Sequence, residues 1–385
     1  MMPFQHTPVP MSDNSREDIL IAGGGLSGLL LGYFLKKHRP DVSFRILEKK
    51  TTYKHDRHWS FWIDRKKQFE FDFLIEKTYE KFSAAGRLIA SRAHSYAVIA
   101  SGRFYDHMMK NLSAHIDFSC DVTHAAADHV ICNGEKRTAP HVFTSIPYGV
   151  TLKRGLWQNF YGWRVVTENP VFDPRQAVIM DLFSQQPSGA MGFYYVLPFS
   201  AYEALVEPTV FSVDGGEEKA FFDAAYRHYM AALNPGRIDV LEEESGCLPM
   251  ARVACAPNGS ENGSETGPPP DFIGAAGGWL RPSTGYSFLT AVRMAETIAQ
   301  DAQLRPPKPY GRSLLAMDQV FLDVARADPG VLPEVFSGWF AGAEPERLIR
   351  FLQSRQLPLR DGLNVVQHTP YKAAFLKAAL QNMGE

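Results

Sequence analysis

Three glycines near the start of the chain stand at a spacing that binds phosphate groups. Gly23, Gly25 and Gly28 form a G-x-G-x-x-G pattern, and Glu48 follows twenty residues after the last of them. The glycines permit a tight turn, close approach of the backbone to a pyrophosphate, and tight packing of a helix on a strand. A helix N-terminus attracts phosphates, and the Glu48 carboxylate can accept hydrogen bonds from ribose hydroxyls. The pattern predicts a dinucleotide site, and its early position favours flavin adenine dinucleotide (FAD) over a nicotinamide cofactor.

A second candidate for chemistry is a glutamate inside an apolar run. In LVEPTVF, the period of two of a strand places Glu207 on one face with Leu205 and Thr209. A carboxyl in an apolar wall loses the solvation of its charged form, so its pKa rises and it can donate a proton at neutral pH. A glutamate that faces outward, or lies on an edge strand, is the alternative.

Aromatic residues are concentrated before this run, and a second glycine-rich turn follows it. Trp157, Phe160, Tyr161 and Trp163 either pack in the core or line a pocket whose π faces stabilise a carbocation. The segment FIGAAGGWLRPSTGYSF (272–288) leads into a long helix, which makes it a second helix start that favours anions.

The elements that must position these residues fall into two kinds. Residues 18–50 have the pattern of a β-α-β unit, and the aromatic and charged segment 55–64 is predicted as a loop. Between 157 and 211, alternating and aromatic residues predict four strands in a row, which is typical of an antiparallel sheet. Helical periodicity returns at 217–233 and again from 310 onward.

Composition excludes several classes of protein. The formal net charge of −2 gives no electrostatic surface for nucleic acid. The four cysteines show no C-x-x-C or metal spacing and the histidines no ligand pattern, so we expect no metal and a reduced, cytoplasmic setting. The segment before the glycines lacks the features of a signal peptide. The apolar run 19–35 is interrupted by glycines and is too short to cross a bilayer.

An ordered set of local sequences carries a resemblance to a known family. The set consists of GGGLSGLLL (23–31), DRHWSFW (56–62), NFYGWRVVTENPVFDPRQAVIMDLF (159–183), FYYVLPFSAYEALVEPTVFS (193–212), EEESGCLPM (242–250) and GAAGGWLRPSTGYSF (274–288). Together they resemble the bacterial lycopene cyclase family, flavoproteins of the lycopene beta-cyclase type whose fold is similar to that of the aromatic hydroxylases. The resemblance runs through roughly 17–365, and the ordered set is far more specific than any one motif.

The resemblance implies a fold and a reaction. The fold is α/β: an FAD-binding Rossmann-like domain with an inserted antiparallel-sheet substrate domain and a C-terminal helical cap. The reaction is a non-redox isomerisation that converts lycopene, or a related acyclic carotenoid, to gamma- or beta-carotene with reduced FAD that NAD(P)H maintains. Glu207 is implied to protonate a terminal double bond, after which a neighbouring double bond attacks the carbocation and closes a six-membered ring.

The resemblance also implies where residues stand around cofactor and substrate. Arg57 and Trp59 are expected near the isoalloxazine, with an exposed loop as the alternative. Further cofactor contacts are expected from Leu26, Ser27, Pro282, Thr284 and Gly285. The expected substrate pocket consists of Trp157, Phe160, Trp163, Tyr195 and Tyr286.

Two positions depart from the family pattern. Pro208 stands where many members carry a second acid, and proline is expected only at a sheet edge or bulge. Ala275 stands where related flavoproteins have an acidic residue that holds the ribityl chain. Two alternatives stay open: a flavin-dependent oxidoreductase (a hydroxylase or isoprenoid reductase) on the same fold, and a carotenoid- or flavin-binding homologue without activity, which these two departures suggest.

The predicted order of domains follows from these assignments. A disordered leader at 1–16 precedes the first part of the FAD-binding domain at 17–150, the sheet domain at 151–255, the second FAD part at 270–305, and a helical region at 306–385. A carotenoid resides in membranes, so we expect peripheral contact with the inner face of the cell membrane. Apolar stripes at 314–325 and 348–352, beside several arginines, are candidates for this contact, and packing over the core is the alternative.

Overall fold

The computed structural model describes residues 17–147, 150–152, 154–255 and 268–383. The predicted leader and most of the predicted linker, residues 256–267, lie outside the described residues. The described strands are β1 (Ile19–Ala22), β2 (Phe44–Leu47), β3 (His58–Asp64), β4 (Lys77–Tyr79), β5 (Lys81–Ala84), β6 (Arg87–Ala90), β7 (His94–Ala100), β8 (Ile116–Asp117), β9 (Val122–Ala125), β10 (His129–Cys132), β11 (Glu135–Thr138), β12 (His141–Thr144), β13 (Val150–Leu152), β14 (Leu156–Thr167), β15 (Gln176–Leu182), β16 (Ala190–Pro198), β17 (Glu203–Ser212), β18 (Ile238–Met250), β19 (Val253–Cys255) and β20 (Asp271–Phe272).

Helices follow the first strand and predominate from residue 288 onward. They are α1 (Leu26–His38), α2 (Ser101–Leu112), α3 (Lys219–Leu233), α4 (Phe288–Gln300), α5 (Arg312–Ala327), α6 (Leu332–Gly342), α7 (Pro345–Gln353), α8 (Leu359–Gln367) and α9 (Lys372–Met383). Short 3-10 helices occur at Asp72–Leu74, Ser113–His115 and Pro329–Val331. Within the described ranges, no helix has the length and hydropathy needed to span a membrane.

A parallel sheet forms the first layer. Its strand order is β20-β12-β1-β2-β8, and every described pair in it is parallel. β1 is buried along its whole length, as expected for a parallel strand that is covered on both faces. Helices α1 and α4 pack together in the apolar cluster that covers this sheet. The glycine-rich turn at 23–28 follows β1 directly and therefore lies at the carboxyl edge of that strand.

A mostly antiparallel sheet forms the second layer. Its strand order is β18-β14-β17-β16-β15-β5-β6, with one parallel pair between β15 and β5. The four strands predicted in a row are present as β14 to β17, and β5 and β6 from the earlier part of the chain extend the same sheet. One face packs against α3, and the other packs against the C-terminal helices.

Three local predictions were wrong or need correction. Residues 58–64 form strand β3, which pairs with β7 and buries Phe61 and Trp62, so the predicted loop is a strand whose partner lies about forty residues away. The apolar stripes at 314–325 and 348–352 face inward: Leu314, Leu322 and Leu348 are buried in the core, so packing over the core is correct.

The third correction concerns the proline beside the candidate acid. Pro208 lies on β17, a central strand with β14 on one side and β16 on the other. It is not at an edge, but its effect on the pairing is visible. The β14–β17 register runs from Trp157 to Phe160 and resumes only at Trp163, so it is interrupted opposite Glu207 and Pro208. Since proline has no N–H to donate, a break in the ladder at this point is the expected consequence.

Candidate active site

The first glycine-rich turn is built as the spacing predicts. Gly23 has a φ of +98°, and a Cβ there would lie 2.2 Å from the Ser145 Oγ. A Cβ on Gly28 would lie 2.0 Å from the Gly23 carbonyl oxygen, so helix α1 packs against the turn only because position 28 is glycine. By contrast, no atom lies within 4 Å of a Cβ on Gly25. The space above Gly25 and the unpaired N–H groups of the first turn of α1 fit a pyrophosphate.

Glu48 holds this turn in place from the end of β2. Its side chain is buried, its Oε2 accepts a hydrogen bond from the Gly24 N–H at 2.8 Å, and its Oε1 accepts one from the Lys50 N–H at 2.8 Å. The Tyr53 hydroxyl donates to the Gly24 carbonyl oxygen at 2.8 Å. The structure therefore gives Glu48 a role in shaping the turn, and its contact with a ribose stays a prediction.

The second glycine-rich turn meets the first. Gly274 has a φ of +63°, and a Cβ there would lie 2.7 Å from the Oγ of Ser27 at the start of α1. Ala275 is exposed and lines a cavity that both turns border, and Thr284 and Gly285 also line this cavity. Pro282 is buried and is not among the lining residues. The two turns thus form one wall from segments about 250 residues apart.

The helix after the second turn begins directly after Ser287, whose side chain makes no capping hydrogen bond. α4 starts at Phe288, and the Ser283 hydroxyl donates to the Asp318 Oδ1 at 2.7 Å. Asp318 also receives two hydrogen bonds from Arg281, at 3.0 and 3.2 Å, and the Arg281 and Asp318 side chains are buried. This network ties the turn to α5.

A single large cavity joins these turns to the antiparallel sheet. It has a volume of about 1140 Å³ and extends from Gly25, Leu26 and Ser27 to the C-terminal helices. Arg57 and Trp59, the latter on β3, both line it, which brings them into the predicted neighbourhood of the cofactor. The Arg57 Nε lies 3.2 Å from the Asp56 Oδ1, and Trp59 packs edge-on against Phe104 with ring centroids 5.2 Å apart.

Glu207 faces this cavity from the centre of β17. Its side chain is 7 % exposed, and it shares a face with Leu205 and Thr209 as predicted. The Thr209 Oγ1 lies 3.4 Å from the Glu207 Oε1. Burial, followed by the charge and the hydrogen bond of the neighbouring Glu244, raises the pKa of Glu207 well above its usual 4.5. A carboxyl in this setting keeps its proton where an exposed glutamate is ionised.

Two further ionisable residues line this part of the cavity, Glu244 beside Glu207 and His58 beside Glu244, and neither was expected from the sequence. Glu244 on β18 is 7 % exposed, and its Oε2 lies 2.9 Å from the Nδ1 of His58 on β3. Burial lowers the pKa of His58, but the hydrogen bond and the charge of Glu244 outweigh this effect and raise it above 6.5. Sequence motifs around both residues were recognised, yet no local signal shows that strands β3 and β18 bring them together.

The predicted aromatic pocket divides between two faces of the sheet. Phe160, Tyr195 and Tyr286 line the cavity. Trp163 packs against Tyr226 of α3, with ring centroids 4.6 Å apart, and neither it nor Trp157 is among the lining residues. Since successive residues of a strand point to opposite faces, Phe160 cannot share a face with residues three positions before or after it in a regular strand.

The cavity continues between the C-terminal helices, a part of the site that the sequence did not indicate. Its apolar lining there comes from α6 to α9 and includes Phe336, Trp339, Phe351, Val366, Phe375 and Leu376. In the part of the chain that the structure describes, no group of three or more His, Cys, Asp or Glu side chains is arranged to hold a metal ion.

Solved structures with a similar fold include a reductase-like protein and a monooxygenase. A geranylgeranyl bacteriochlorophyll reductase-like protein from Thermoplasma acidophilum has a TM-score of 0.56 at 13% identity, over 94% of this chain and 98% of that one. A p-nitrophenol 4-monooxygenase from Pseudomonas putida has a TM-score of 0.51 at 14% identity, over 96% of this chain and 98% of that one. At these identities the likeness shows the fold alone. It confirms the predicted α/β fold with an inserted antiparallel sheet and C-terminal helices.

Sequence comparisons are more specific. A lycopene beta-cyclase of Pseudescherichia vulneris is 25% identical over 304 residues, 74% of each protein. A lycopene beta-cyclase of a Paracoccus species is 27% identical over 348 residues, 87% of this chain and 86% of that protein. The family model described as lycopene cyclase protein matches residues 18–379. Because this match spans nearly the whole sequence, the chain belongs to the lycopene cyclase family.

Proposed function

We propose that this protein cyclises the ends of lycopene, or of a related acyclic carotenoid, with Glu207 as the acid that starts the reaction. The observation that carries the proposal is a carboxyl, buried on a central strand, that faces a largely apolar cavity, where burial raises its pKa. The Glu207 O–H would protonate the terminal C=C bond and leave a tertiary carbocation. The neighbouring double bond would attack this centre to close a six-membered ring, and loss of a proton would complete an isomerisation without net redox change.

The other lining residues support this chemistry. Phe160, Tyr195 and Tyr286 place aromatic rings in the cavity that contains the Glu207 carboxyl, and the π face of such a ring attracts a cation. The Tyr195 hydroxyl donates to the Ser60 Oγ at 2.6 Å and lies 2.9 Å from the Tyr96 hydroxyl. Because its polar group is already paired within the protein, Tyr195 can present its ring to an apolar substrate without drawing in water.

The residues of the two glycine-rich turns fit FAD. The Gly25 space, Leu26 and Ser27 would hold the pyrophosphate, Glu48 a ribose, and the segment with Thr284 and Gly285 the flavin ring. Reduced FAD, kept reduced by NAD(P)H, would supply an electron-rich ring that favours positive charge nearby. Binding of FAD, its reduced state and the nicotinamide donor are parts of this proposal.

We further propose that the protein takes its substrate from the surface of a membrane. The cavity reaches the outside between α8 and α9, where Val366 and Leu376 line it and are 48 % and 62 % exposed. Leu359, Leu363 and Leu380 on the same two helices are also exposed. This exposed rim of α8 and α9, rather than the buried stripes at 314–325 and 348–352, has the apolar character of a surface that lies in a lipid interface.

Charge around this rim agrees with a lipid partner. Arg360, Lys372 and Lys377 are exposed on α8 and α9, and basic residues beside an apolar face are attracted to anionic lipids. A carotenoid is itself apolar, so an opening within the bilayer interface avoids its transfer through water. The proposed location is the cytoplasmic face of the cell membrane.

Expression in a bacterial host that accumulates lycopene tests the proposed reaction. The wild-type chain is expected to convert lycopene to gamma- or beta-carotene, as seen by chromatography of the pigments, and Glu207→Gln is expected to leave lycopene unchanged. Unchanged lycopene in the presence of folded, flavin-loaded wild-type protein would contradict the proposal. An anaerobic assay with pre-reduced flavin separates the cyclase from an oxidoreductase, which would consume NAD(P)H in proportion to product.

A further inference from the structure

The two buried carboxyls of the site come from strands that are not neighbours. Glu207 lies on β17 and Glu244 on β18, with β14 between them. Two strand spacings separate their backbones by roughly 10 Å. The residue of β14 between them is Gly162, and a Cβ there would lie 3.1 Å from the Glu244 Cγ and 3.4 Å from the Glu207 Cγ. Because position 162 has no side chain, the two glutamates can reach each other across the middle strand.

Glu244 is fixed from its other side by a histidine of a separate sheet. The His58 Nδ1 lies 2.9 Å from the Glu244 Oε2, and the two side chains are 3 % and 6 % exposed. The His58 Nε2 lies 3.4 Å from the Arg164 Nη1 and 3.9 Å from the Glu242 Oε2. A buried carboxylate next to an imidazolium is stabilised in its charged form. His58 contacts Glu244 and not Glu207, and the pKa of Glu207 is raised by burial and by Glu244, so the arrangement leaves the proton to Glu207.

We propose that Glu244, held by His58 and reaching Glu207 across Gly162, is a positioning residue that keeps the transferable proton on Glu207 and returns it there after ring closure. This inference rests on the proposed role of Glu207 as the acid. When the Glu207 O–H bond breaks and the substrate C–H bond forms, two carboxylates face each other in an apolar wall. Their repulsion favours uptake of the proton that the cyclised cation loses from carbon. The proton given and the proton recovered balance, so the cycle needs no other reactant.

The remaining groups near the pair leave this role to Glu244. Arg164 is held by Glu76 at 2.8 Å and by Glu203 at 2.6 Å, and Arg57 by Asp56. Burial raises the pKa of Tyr195 and Tyr286, so these two tyrosines are neutral. The groups that face the pair from the surrounding strands and turns are His58, Arg57, Arg164, Glu242, Thr209, Tyr195 and Tyr286.

An infrared titration of the full-length, flavin-loaded protein tests the inference without relying on turnover. The C=O band of the protonated Glu207 is identified by its absence in Glu207→Gln and followed as the pH is raised. In Glu244→Gln the neutral amide no longer repels the Glu207 carboxylate, so the band is expected to disappear at a pH lower by about one pH unit or more. Gly162→Ala, which places a methyl group between the carboxyls, is expected to shift it in the same direction.

The pH dependence of cyclisation gives the second measurement. Protonated Glu207 is the active form, so activity falls as the pH rises through its pKa, and this alkaline limit should move down with the infrared band. Glu243→Gln is the matched control, because it removes a carboxylate from the same strand that contacts the Tyr161 hydroxyl instead. It is expected to leave the band and the limit in place.

Two results would overturn the inference. One is an unchanged Glu207 titration in both Glu244→Gln and Gly162→Ala. The other is a lower melting temperature in Glu244→Gln with no movement of the alkaline limit, which would make the residue merely structural. If the variants show the infrared shifts but the wild-type protein forms no cyclic carotenoid, the proposed function is refuted while the coupling of the two carboxyls is supported.

Discussion

Replacing Gly25 by valine is expected to remove cofactor binding and preserve the fold. The backbone there has a φ of −75°, which any residue adopts, and no atom lies within 4 Å of an added Cβ. The new side chain therefore enters open space in the cavity, where the proposed pyrophosphate would lie. Gly28→Ala is the matched contrast: its Cβ would stand 2.0 Å from a backbone oxygen, so the turn itself must move.

The size of both effects can be estimated. A hydrogen bond to a charged group contributes about 1.5–3 kcal/mol, so each N–H···phosphate bond that the valine blocks weakens FAD binding by about 10- to 150-fold. At an FAD concentration 100 times the wild-type Kd, binding stabilises the wild type by about 2.7 kcal/mol, and a variant with 100-fold weaker binding by about 0.4 kcal/mol. Without FAD, a less favourable N-cap costs Gly25→Val at most about 1 kcal/mol.

Thermal unfolding with and without added FAD measures both quantities, and flavin absorbance reports retention. We expect Gly25→Val to melt within a few degrees of the wild type as apoprotein and to lose most of the FAD-dependent increase in Tm. Gly28→Ala is expected to be destabilised in both conditions. A Gly25→Val protein that binds FAD with wild-type affinity would show that the space above this glycine is not the pyrophosphate site.

Three other changes follow from the same structure. Glu207→Gln is expected to slow cyclisation at least about 100-fold. Because the pKa of Glu207 is higher in the folded than in the unfolded protein, wild-type stability should fall as the pH rises from about 4.5 through the folded pKa. Urea unfolding of the variant should not show this fall. Arg281→Met leaves Asp318 buried without its cationic partner and should cost about 3–5 kcal/mol in urea unfolding, with partial recovery when Asp318 is replaced by leucine. Leu376→Asp should lower co-sedimentation with anionic vesicles about tenfold or more, whereas the equally exposed Leu88→Asp on β6 should not.

The parts of the fold that the sequence predicts are those specified by residues close together in the chain. The glycine spacing at 23–28 defines a strand, turn and helix within twenty residues, and the structure contains each of them. The period of two in β17 correctly places Leu205, Glu207 and Thr209 on one face. In both cases the physical cause is local backbone geometry, which a short window of sequence contains.

What sequence patterns do not contain is the meeting of distant strands. His58 and Glu244 are 186 positions apart, and their contact depends on how the β3–β7 sheet packs against the seven-stranded sheet. The predicted aromatic pocket was partly wrong for a related reason, because residues that are close along β14 do not all lie on the same face of the sheet. Alternation puts Phe160 in the cavity and Trp163 under α3, although they are three residues apart.

Four exceptions to ordinary strand chemistry lie in one patch of the sheet. A proline interrupts the ladder of a central strand at position 208, a glycine occupies the adjacent strand at 162, and two carboxyls are buried at 207 and 244. Each feature alone weakens a sheet, since proline and glycine reduce pairing and a buried carboxylate is costly to desolvate. Natural sequences break local rules chiefly where function requires it. These four features lie together on β14, β17 and β18, and both carboxyls line one cavity, which supports the proposed chemical role of the Glu207–Glu244 pair.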